Sequence, residues 1–403
     1  MKGIATAHSD SPPDFEVEDD ARVTESTRSS ALASTDDERF MRRALELAVR
    51  GHGQTSPNPC VGAVVVKDGR IVGEGFHARY GTAHAEVVAL GNVGTNTQGA
   101  TVYVTLEPCS HHGKTPPCTG ALLAAGVKRV VYAVDDPNPS AAGGAPWLRS
   151  AGVEVTGGVL RDESAELIAP FLFEARGGTR PFVTLKLATS IDGALVDASR
   201  ARGWLTGDAS RRAVHRLRAS VDAIAVGIGT VLADDPALTV RDAPAPRVAP
   251  IRIVFDRHAR LPMESVLAST ASETPVILFH GEGASDLSDR VTRLRALGVE
   301  CQTAPALGDA MTILRARGVQ HLMVEGGAGL ASAFLHADLV DRLIMFQAPV
   351  ILGTGALAAF AELPALAAAG APRWRVLARE VLGDDLMTTY ARPQQDPRID
   401  LDD

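Results

Sequence analysis

Residues 105–118 read TLEPCSHHGKTPPC, and residues 84–86, upstream of them, read HAE. Together the two stretches supply one imidazole and two thiols, those of His84, Cys109 and Cys118. Zinc binds His nitrogen and Cys thiolate, and a catalytic zinc site has three protein ligands and leaves its fourth position to water. The three residues therefore predict a catalytic zinc site in the first half of the chain.

Glu86 stands two residues after the predicted His ligand. A carboxylate that does not bind the metal can carry protons between an attacking water and a leaving amine. The pattern H-x-E followed by P-C-x-x-C is typical of zinc deaminases, although here eight residues rather than two separate Cys109 from Cys118. We predict a deaminase with Glu86 as its proton shuttle, and we expect Lys114, inside the longer spacing, to meet a substrate phosphate.

A structural zinc site is the alternative to a catalytic one. Structural sites close with four protein ligands, and here His111 or His112 would have to supply the fourth. The remaining cysteines, Cys60 and Cys301, are interpreted as ordinary buried thiols. Four cysteines in 403 residues are too few for a disulfide framework, so we expect reduced thiols.

The first half alternates apolar runs with helical patterns, which is typical of a layered α/β domain. A capping-box pattern at residues 35–38 predicts a helix that ends near Gly51. The Asp68-Gly69 pair predicts a hairpin between two apolar strands. The predicted strands are 60–66, 71–75, 101–106 and 129–134, and the later predicted helices are 83–90 and 119–125.

A glycine-rich segment, residues 177–181, marks the predicted boundary between two domains, 36–178 and 179–393. The second domain also reads as α/β, with predicted strands at 182–188, 223–226, 251–255, 276–279, 321–324 and 343–348. Residues 1–35 are polar and acidic and predict a disordered tail, and residues 394–403 predict a frayed end.

Composition narrows the class of partner. The chain is 45% hydrophobic and 22% charged, and no apolar run approaches the roughly 20 residues that a membrane span needs. Its formal net charge is -8, which gives no overall positive field for a nucleic-acid backbone. The opening residues lack the pattern of a signal peptide. We therefore expect a cytoplasmic protein that acts on a small molecule, without a membrane or nucleic-acid partner. We also expect a homo-oligomer, which the composition does not address.

Several further motifs accompany the zinc motif: PNPCVG at 57–62, DPNP at 136–139, KLATSIDG at 186–193, WLTG at 204–207 and VGIGTVLADDPALTVR at 226–241. Together they resemble the bifunctional riboflavin-biosynthesis deaminase/reductase family, from Asp36 to about Gly355. The long spacing between Cys109 and Cys118 is the most specific feature, because it separates this family from cytidine and tRNA deaminases. The resemblance implies a cytidine-deaminase-like three-layer α/β/α domain followed by a dihydrofolate-reductase-like α/β domain.

The resemblance also implies two reactions and their cofactors. With Zn²⁺, the first domain would deaminate 2,5-diamino-6-(5-phosphoribosylamino)pyrimidin-4-one, a phosphoribosylaminopyrimidine. With NADPH, the second would then reduce the ribosyl group of 5-amino-6-(5-phosphoribosylamino)uracil to ribityl.

Residue by residue, the resemblance assigns roles in both halves. Residues 324–330 read VEGGAGL, and there a strand passes into a helix whose backbone N–H groups could hold a pyrophosphate. Lys186 and Asp192 would position or protonate the opening sugar. The residues implied to border NADPH are Ala188, Trp204, Thr230, Asp234, Gly327, Ala328 and Gly329. The residues implied to bind substrate are Asn58, Arg218, Leu238, Arg241 and Glu325.

Two departures from the family pattern leave alternatives open. Arg202 stands where the family usually has Ser, and the segment 141–145 is one residue short of the usual pattern. A deaminase with an inactive reductase domain is one alternative, and a deaminase of nucleic-acid bases is another. From a different class, the chain could be a zinc-stabilised binding protein.

Overall fold

The computed structural model describes residues 25–93, 97–111, 116–138, 141–200, 203–282, 285–360, 362–364, 367 and 369–392. The predictions for Lys114, Arg202 and the tails 1–24 and 394–403 lie outside these residues. In the described part of the chain, no helix is both long enough and apolar enough for a membrane crossing.

Among its described residues, the first half contains five strands and six helices. The strands are β1 (Gly62–Lys67), β2 (Arg70–Phe76), β3 (Thr101–Leu106), β4 (Arg129–Val134) and β5 (Glu154–Thr156). The helices are α1 (Glu25–Ala48), α2 (Ala85–Gly91), α3 (Cys118–Ala124), α4 (Gly144–Ser150), α5 (Arg161–Leu167) and α6 (Ala169–Ala175), with a 3-10 turn at Val49–Gly51.

These strands form one sheet in the order β2-β1-β3-β4-β5. The pairs β1/β2 and β1/β3 are antiparallel, and the pairs β3/β4 and β4/β5 are parallel. Successive strand residues point to opposite faces, so Ala63 and Val65 pack with α2, α3 and α4, whereas Val64 and Val66 pack with α1 and α6. The predicted hairpin and the three-layer α/β/α architecture are confirmed.

The first helix is longer than the sequence pattern predicted. It begins at Glu25 rather than near residue 35, so residues 25–35 of the predicted disordered tail are helical. Arg28, Ala31, Leu32 and Ala33 are good helix formers, and their propensity extends the helix upstream of the start that the capping-box pattern suggested.

The second half contains strands β6 to β16 and helices α7 to α12. The strands are β6 (Phe182–Thr189), β7 (Ala194–Val196), β8 (Ala223–Gly227), β9 (Ile251–Phe255), β10 (Val276–His280), β11 (Glu300–Thr303), β12 (His321–Glu325), β13 (Arg342–Gln347), β14 (Leu357–Ala358), β15 (Arg375–Leu382) and β16 (Asp385–Ala391). The helices are α7 (Asp208–Ala219), α8 (Ile228–Asp234), α9 (Val266–Ser269), α10 (Ser285–Ala296), α11 (Leu307–Ala316) and α12 (Ala328–His336).

Nine of these strands form a sheet in the order β11-β10-β9-β8-β12-β6-β13-β16-β15. Its pairs are parallel from β11 to β13, and the pairs β13/β16 and β15/β16 are antiparallel. Apolar clusters with helices cover both faces. The predicted dihydrofolate-reductase-like α/β domain is confirmed, and all six predicted strands are present.

The strand order reverses between β8 and β12. From β8 the chain builds outward to β11, then returns to place β12 between β8 and β6. In open α/β sheets, ligands bind at such a switch point, in the crevice outside the carboxyl ends of the strands. Gly227 at the end of β8 and Glu325 at the end of β12 therefore border the crevice where a ligand is expected.

Candidate active sites

The three predicted zinc ligands come from the ends of three elements. His84 is the N-cap of α2, Cys118 is the first residue of α3, and Cys109 follows β3. Helix α2 lies close against β2 because Gly73 and Gly75 have no side chain there. A Cβ on either glycine would come within 2.4 Å of the Ala89 backbone. The close packing fixes the start of α2, and with it His84, beside the two cysteines.

The ligand atoms are close enough to bind one ion. The His84 Nδ1 lies 3.2 Å from the Cys118 Sγ and 3.5 Å from the Cys109 Sγ. All three ligand atoms lie within 4.8 Å of one another. A tetrahedral zinc with ordinary Zn–N and Zn–S bonds requires N···S separations of about 3.6 Å. The donor set and the spacing therefore fit zinc.

The surroundings of Cys109 favour the thiolate that zinc requires. The hydrogen bond from the Cys118 thiol, with further ones from His84 and the Cys118 backbone N–H, lowers the pKa of Cys109 despite its burial. The bond to Cys109 in turn raises the pKa of His84. An electropositive setting at a helix N-terminus is what stabilises a cysteine thiolate.

Glu86 lies beside this cluster without belonging to it. Its side chain is only 3% exposed, and burial raises the pKa of its carboxyl group. The metal-binding cluster found among the described residues consists of His84, Cys109 and Cys118 alone. A buried carboxyl group with a raised pKa, next to a metal site, has the properties of a general acid and base.

The structural-site alternative needs a fourth protein ligand. His111 is described and lies in the wall of the adjoining pocket, outside the ligand cluster, and its buried Nδ1 has no hydrogen-bond partner in the described part of the chain. His112 lies outside the described residues. The described residues thus provide three ligands and no fourth, as a catalytic zinc site requires.

A pocket of about 240 Å³ opens over the ligand cluster. Its wall includes Asn58, as predicted, and Glu86. Sequence reasoning missed His77, which is 3% exposed and lies 3.4 Å from the Asn58 Nδ2 through its Nε2. The His77 Nδ1 faces the Ala83 carbonyl at 3.2 Å and must donate to it, so the Nε2 is left to accept from Asn58. His77 follows β2 and lies near residues 57–59 only in the folded chain, so no spacing in the sequence indicated that it would contact Asn58.

Glu107 is a second residue that sequence reasoning missed. Its buried carboxylate accepts hydrogen bonds from the backbone N–H of Asp136 at 3.2 Å and of Ala145 at 2.8 Å. The Ser110 hydroxyl donates to the Ala142 carbonyl at 2.9 Å. These bonds hold the shortened 141–145 segment against the residues next to Cys109. The position of Glu107 inside the zinc motif was the only sign of this role in the sequence.

In the second half, three predicted residues meet at the carboxyl ends of the central strands. Arg218 binds Glu325 through two hydrogen bonds, Nε to Oε1 at 2.5 Å and Nη2 to Oε2 at 2.9 Å. Both side chains are 12% exposed. Lys186 pairs with Glu325 in the register of β6 and β12. Burial lowers the pKa of Lys186, and the Arg218 guanidinium lowers the pKa of Glu325 against its burial.

Asp192 takes up a different position from Lys186. Its exposed carboxylate accepts hydrogen bonds from the Ser190 hydroxyl at 2.6 Å and from the backbone N–H of Leu352 and Gly353 at 3.1 and 2.8 Å. These bonds, the one from Ser190 foremost, lower its pKa to about 2. The structure thus gives Asp192 a role in holding the 352–353 segment, and its catalytic role stays a prediction.

Several of the residues predicted to border NADPH lie on the elements that meet at the switch point. Gly327 is the N-cap of α12, and a Cβ on it would lie 3.6 Å from the Thr230 Oγ1, so the starts of α8 and α12 are adjacent. Ala328 and Gly329 open α12, Asp234 ends α8, and Ala188 is half-buried on β6. The Trp204 side chain is 75% exposed. Bare backbone N–H groups at the start of α12 can bind a pyrophosphate, and an exposed indole can pack against a cofactor ring.

Leu238 and Arg241 lie on the segment that follows α8. Leu238 is 3% exposed and has a φ of 50°, an unusual backbone conformation for a branched residue. The Arg218 Nη1 donates to the Thr239 carbonyl at 3.0 Å, and the Arg241 backbone N–H donates to His215 Nδ1 at 3.1 Å. The Arg241 side chain is exposed beside this segment.

Comparison with known proteins places both sites in one family. Residues 181–388 match the RibD C-terminal domain, and residues 34–134 match the cytidine and deoxycytidylate deaminase zinc-binding region. The riboflavin biosynthesis protein RibD of Aquifex aeolicus is 40% identical over 359 residues, 88% of this chain and 98% of that protein. This chain belongs to the RibD family. The RibD of Escherichia coli is 44% identical over 333 residues, 79% of this chain and 89% of that protein.

Solved structures agree with this membership of the RibD family. Acinetobacter baumannii RibD is 39% identical, with a TM-score of 0.73 over 90% of this chain and 100% of that chain. A diaminohydroxyphosphoribosylaminopyrimidine deaminase/5-amino-6-(5-phosphoribosylamino)uracil reductase from Thermotoga maritima is 35% identical, with a TM-score of 0.76 over the same shares. The predicted family is confirmed.

Membership of the RibD family defines the class of enzyme. The chain is a bifunctional deaminase and reductase of riboflavin biosynthesis, with a zinc-binding deaminase domain and an NADPH-using reductase domain. The predicted enzyme class and cofactors are thereby confirmed.

Proposed function

We propose that the first domain deaminates 2,5-diamino-6-(5-phosphoribosylamino)pyrimidin-4-one by hydrolysis and that the second reduces the ribosyl group of 5-amino-6-(5-phosphoribosylamino)uracil to ribityl. The observation that carries this proposal is the cluster of His84, Cys109 and Cys118 beside the buried Glu86. The two activities named for the Thermotoga maritima relative support it. We place the domain boundary between residues 178 and 179.

The chain's own residues account for the proton transfers of deamination. Zinc, when bound to His84, Cys109 and Cys118, supplies Lewis-acid activation of the attacking water. Glu86 takes a proton at its carboxylate and returns it to the departing amino group, and its burial, which raises its pKa, favours uptake of that proton. Asn58, fixed by His77, orients the pyrimidine with its remaining amide oxygen.

The reductase residues divide into binding and proton transfer. NADPH, when bound, supplies the hydride. The N–H groups at Gly327, Ala328 and Gly329 hold its pyrophosphate, with Ala188, Trp204, Thr230 and Asp234 along the crevice. Arg218 and Arg241 direct guanidinium N–H groups to the substrate phosphate, and Leu238 and Glu325 line the sugar site. Lys186 protonates the ring oxygen of the opening sugar, and Asp192 fixes the neighbouring turn.

We propose that the chain works in the cytoplasm as a homo-oligomer, without a nucleic-acid partner. Strand β15 supports self-association, because it is the edge of the large sheet and exposes Val376 and Val381 at 41% and 78%. An exposed edge strand with apolar side chains readily pairs with a second strand. Sedimentation velocity should therefore give a mass larger than one chain.

A two-step assay on the full chain tests the proposed reactions. We expect ammonia release from the diaminopyrimidine substrate and, after that step, NADPH oxidation by the deaminated product. Ammonia release without NADPH oxidation would favour the deaminase with an inactive reductase domain. Deamination of oligonucleotides, with binding that weakens steeply as salt rises, would favour the nucleic-acid alternative.

A further inference from the structure

The segment 53–58 of the deaminase half lies against the reductase half. Gly53 has a φ of 71°, and a Cβ on it would lie 2.2 Å from the Ala219 carbonyl oxygen. The Gln54 Nε2 donates to the Ala245 carbonyl at 2.7 Å, and the Ser56 hydroxyl donates to the Asp222 Oδ1 at 2.8 Å. The reductase half therefore contributes several of the contacts that hold this segment in place.

Arg247 of the reductase half makes three contacts across this interface. Its backbone N–H donates to the Gly53 carbonyl at 2.8 Å, and its Nη2 donates to the Ser56 carbonyl at 2.6 Å. Its guanidinium carbon lies 5.4 Å from the centre of the Tyr80 ring, within the range of a cation–π interaction. One side chain thus touches both the segment 53–58 and the Tyr80 ring.

The two features that Arg247 contacts, segment 53–58 and Tyr80, both reach the deaminase pocket. Asn58 ends the segment, and Asn58 and Tyr80 both line the pocket over the zinc ligands. The Tyr80 backbone N–H donates to the Gln54 carbonyl at 3.1 Å, and this hydrogen bond connects Tyr80 directly to segment 53–58. A shift of segment 53–58 would therefore move two parts of the pocket wall together.

We propose that Arg247 is a positioning residue for deamination, through which the reductase half holds one wall of the deaminase pocket in place. The contacts that Arg247 makes across the interface are with Gly53, Ser56 and Tyr80, and none of these is a predicted zinc ligand. Its contribution is to substrate binding rather than to metal binding or proton transfer. This inference rests on the proposed deamination and deepens it.

The test compares Arg247→Ala with the full wild-type chain. We expect the KM of deamination to rise roughly tenfold with kcat nearly unchanged, as when an interaction of equal strength in ground and transition states is lost. Zinc content and NADPH oxidation should stay at wild-type levels. Arg247→Lys should recover most of the affinity, because an ammonium can also donate to the Ser56 carbonyl and lie over Tyr80.

A matched control and an independent readout separate positioning from simple docking of the domains. Arg293→Ala removes an exposed arginine in the last turn of α10, within the reductase half, and it should change nothing. Hydrogen exchange of residues 53–58 should speed up in Arg247→Ala and not in Arg293→Ala. The exchange readout tests the positioning even if the proposed substrate is wrong.

Three outcomes would overturn the proposal. An unchanged KM for Arg247→Ala is the first, and unchanged hydrogen exchange over residues 53–58 is the second. The third is a joint loss of zinc, NADPH oxidation and deamination, which would assign Arg247 a general role in folding. Absence of ammonia release by the wild-type chain would instead count against the proposed deamination.

Discussion

Glu86→Gln is expected to abolish deamination while the protein stays folded and keeps its zinc. The amide has the shape of the carboxyl group but cannot carry a proton from water to the departing amine, which should reduce kcat by roughly 10²–10⁴-fold. NADPH oxidation with the deaminated substrate should be unchanged, because the reductase site lies in the other half of the chain. The measurement is ammonia release alongside zinc content.

Glu163→Gln is the matched control, since Glu163 is an exposed residue in the first turn of α5. It should have wild-type activity in both assays. A Glu86→Gln variant that keeps a large part of the wild-type rate would show that another group moves the protons.

Arg218→Met is expected to destroy reduction and to destabilise the reductase half. Arg218 is proposed to bind the substrate phosphate, and it also neutralises Glu325, with both side chains 12% exposed. Breaking a buried ion pair by removing one partner costs about 3–5 kcal/mol, because the other charge is left buried and unpaired. Urea unfolding and NADPH oxidation measure the two effects.

The double variant Arg218→Met with Glu325→Gln separates stability from function. Removing both charges should recover much of the lost free energy of unfolding, since no unpaired carboxylate remains buried. It should not recover NADPH oxidation, because the phosphate ligand is still missing. Deamination should be normal in both variants, and recovery of reduction by the double variant would contradict the binding role of Arg218.

Local sequence signals were sufficient for the strands and for the zinc cluster. The apolar runs and the Asp68-Gly69 turn specify β1 and β2 by themselves, because they depend on neighbouring residues. His84, Cys109 and Cys118 could be joined because metal ligands have a recognisable chemistry whatever the distance along the chain. The glycine turn after β12 followed from the same local reasoning.

Contacts between distant elements could not be predicted in this way. Arg218 and Glu325 were each assigned to the substrate, and only the packing of α7 beside β12 reveals that they bind each other. His77 and Arg247 belong to no sequence motif. Their contacts with Asn58 and Tyr80 form only when the chain folds. The early start of α1 reflects helix propensity that the capping-box pattern obscured.

Zinc-edge X-ray absorption on the full chain tests most directly whether one imidazole and two thiolates hold a metal that is open to water. The expected coordination shell has two sulfurs at about 2.3 Å and two lighter atoms at about 2.0–2.1 Å, one from His84 and one from solvent. In Cys109→Ser the sulfur contribution should fall by half or the zinc should be lost. A shell filled by four protein ligands, or one with fewer than two sulfurs in the wild-type chain, would contradict the account.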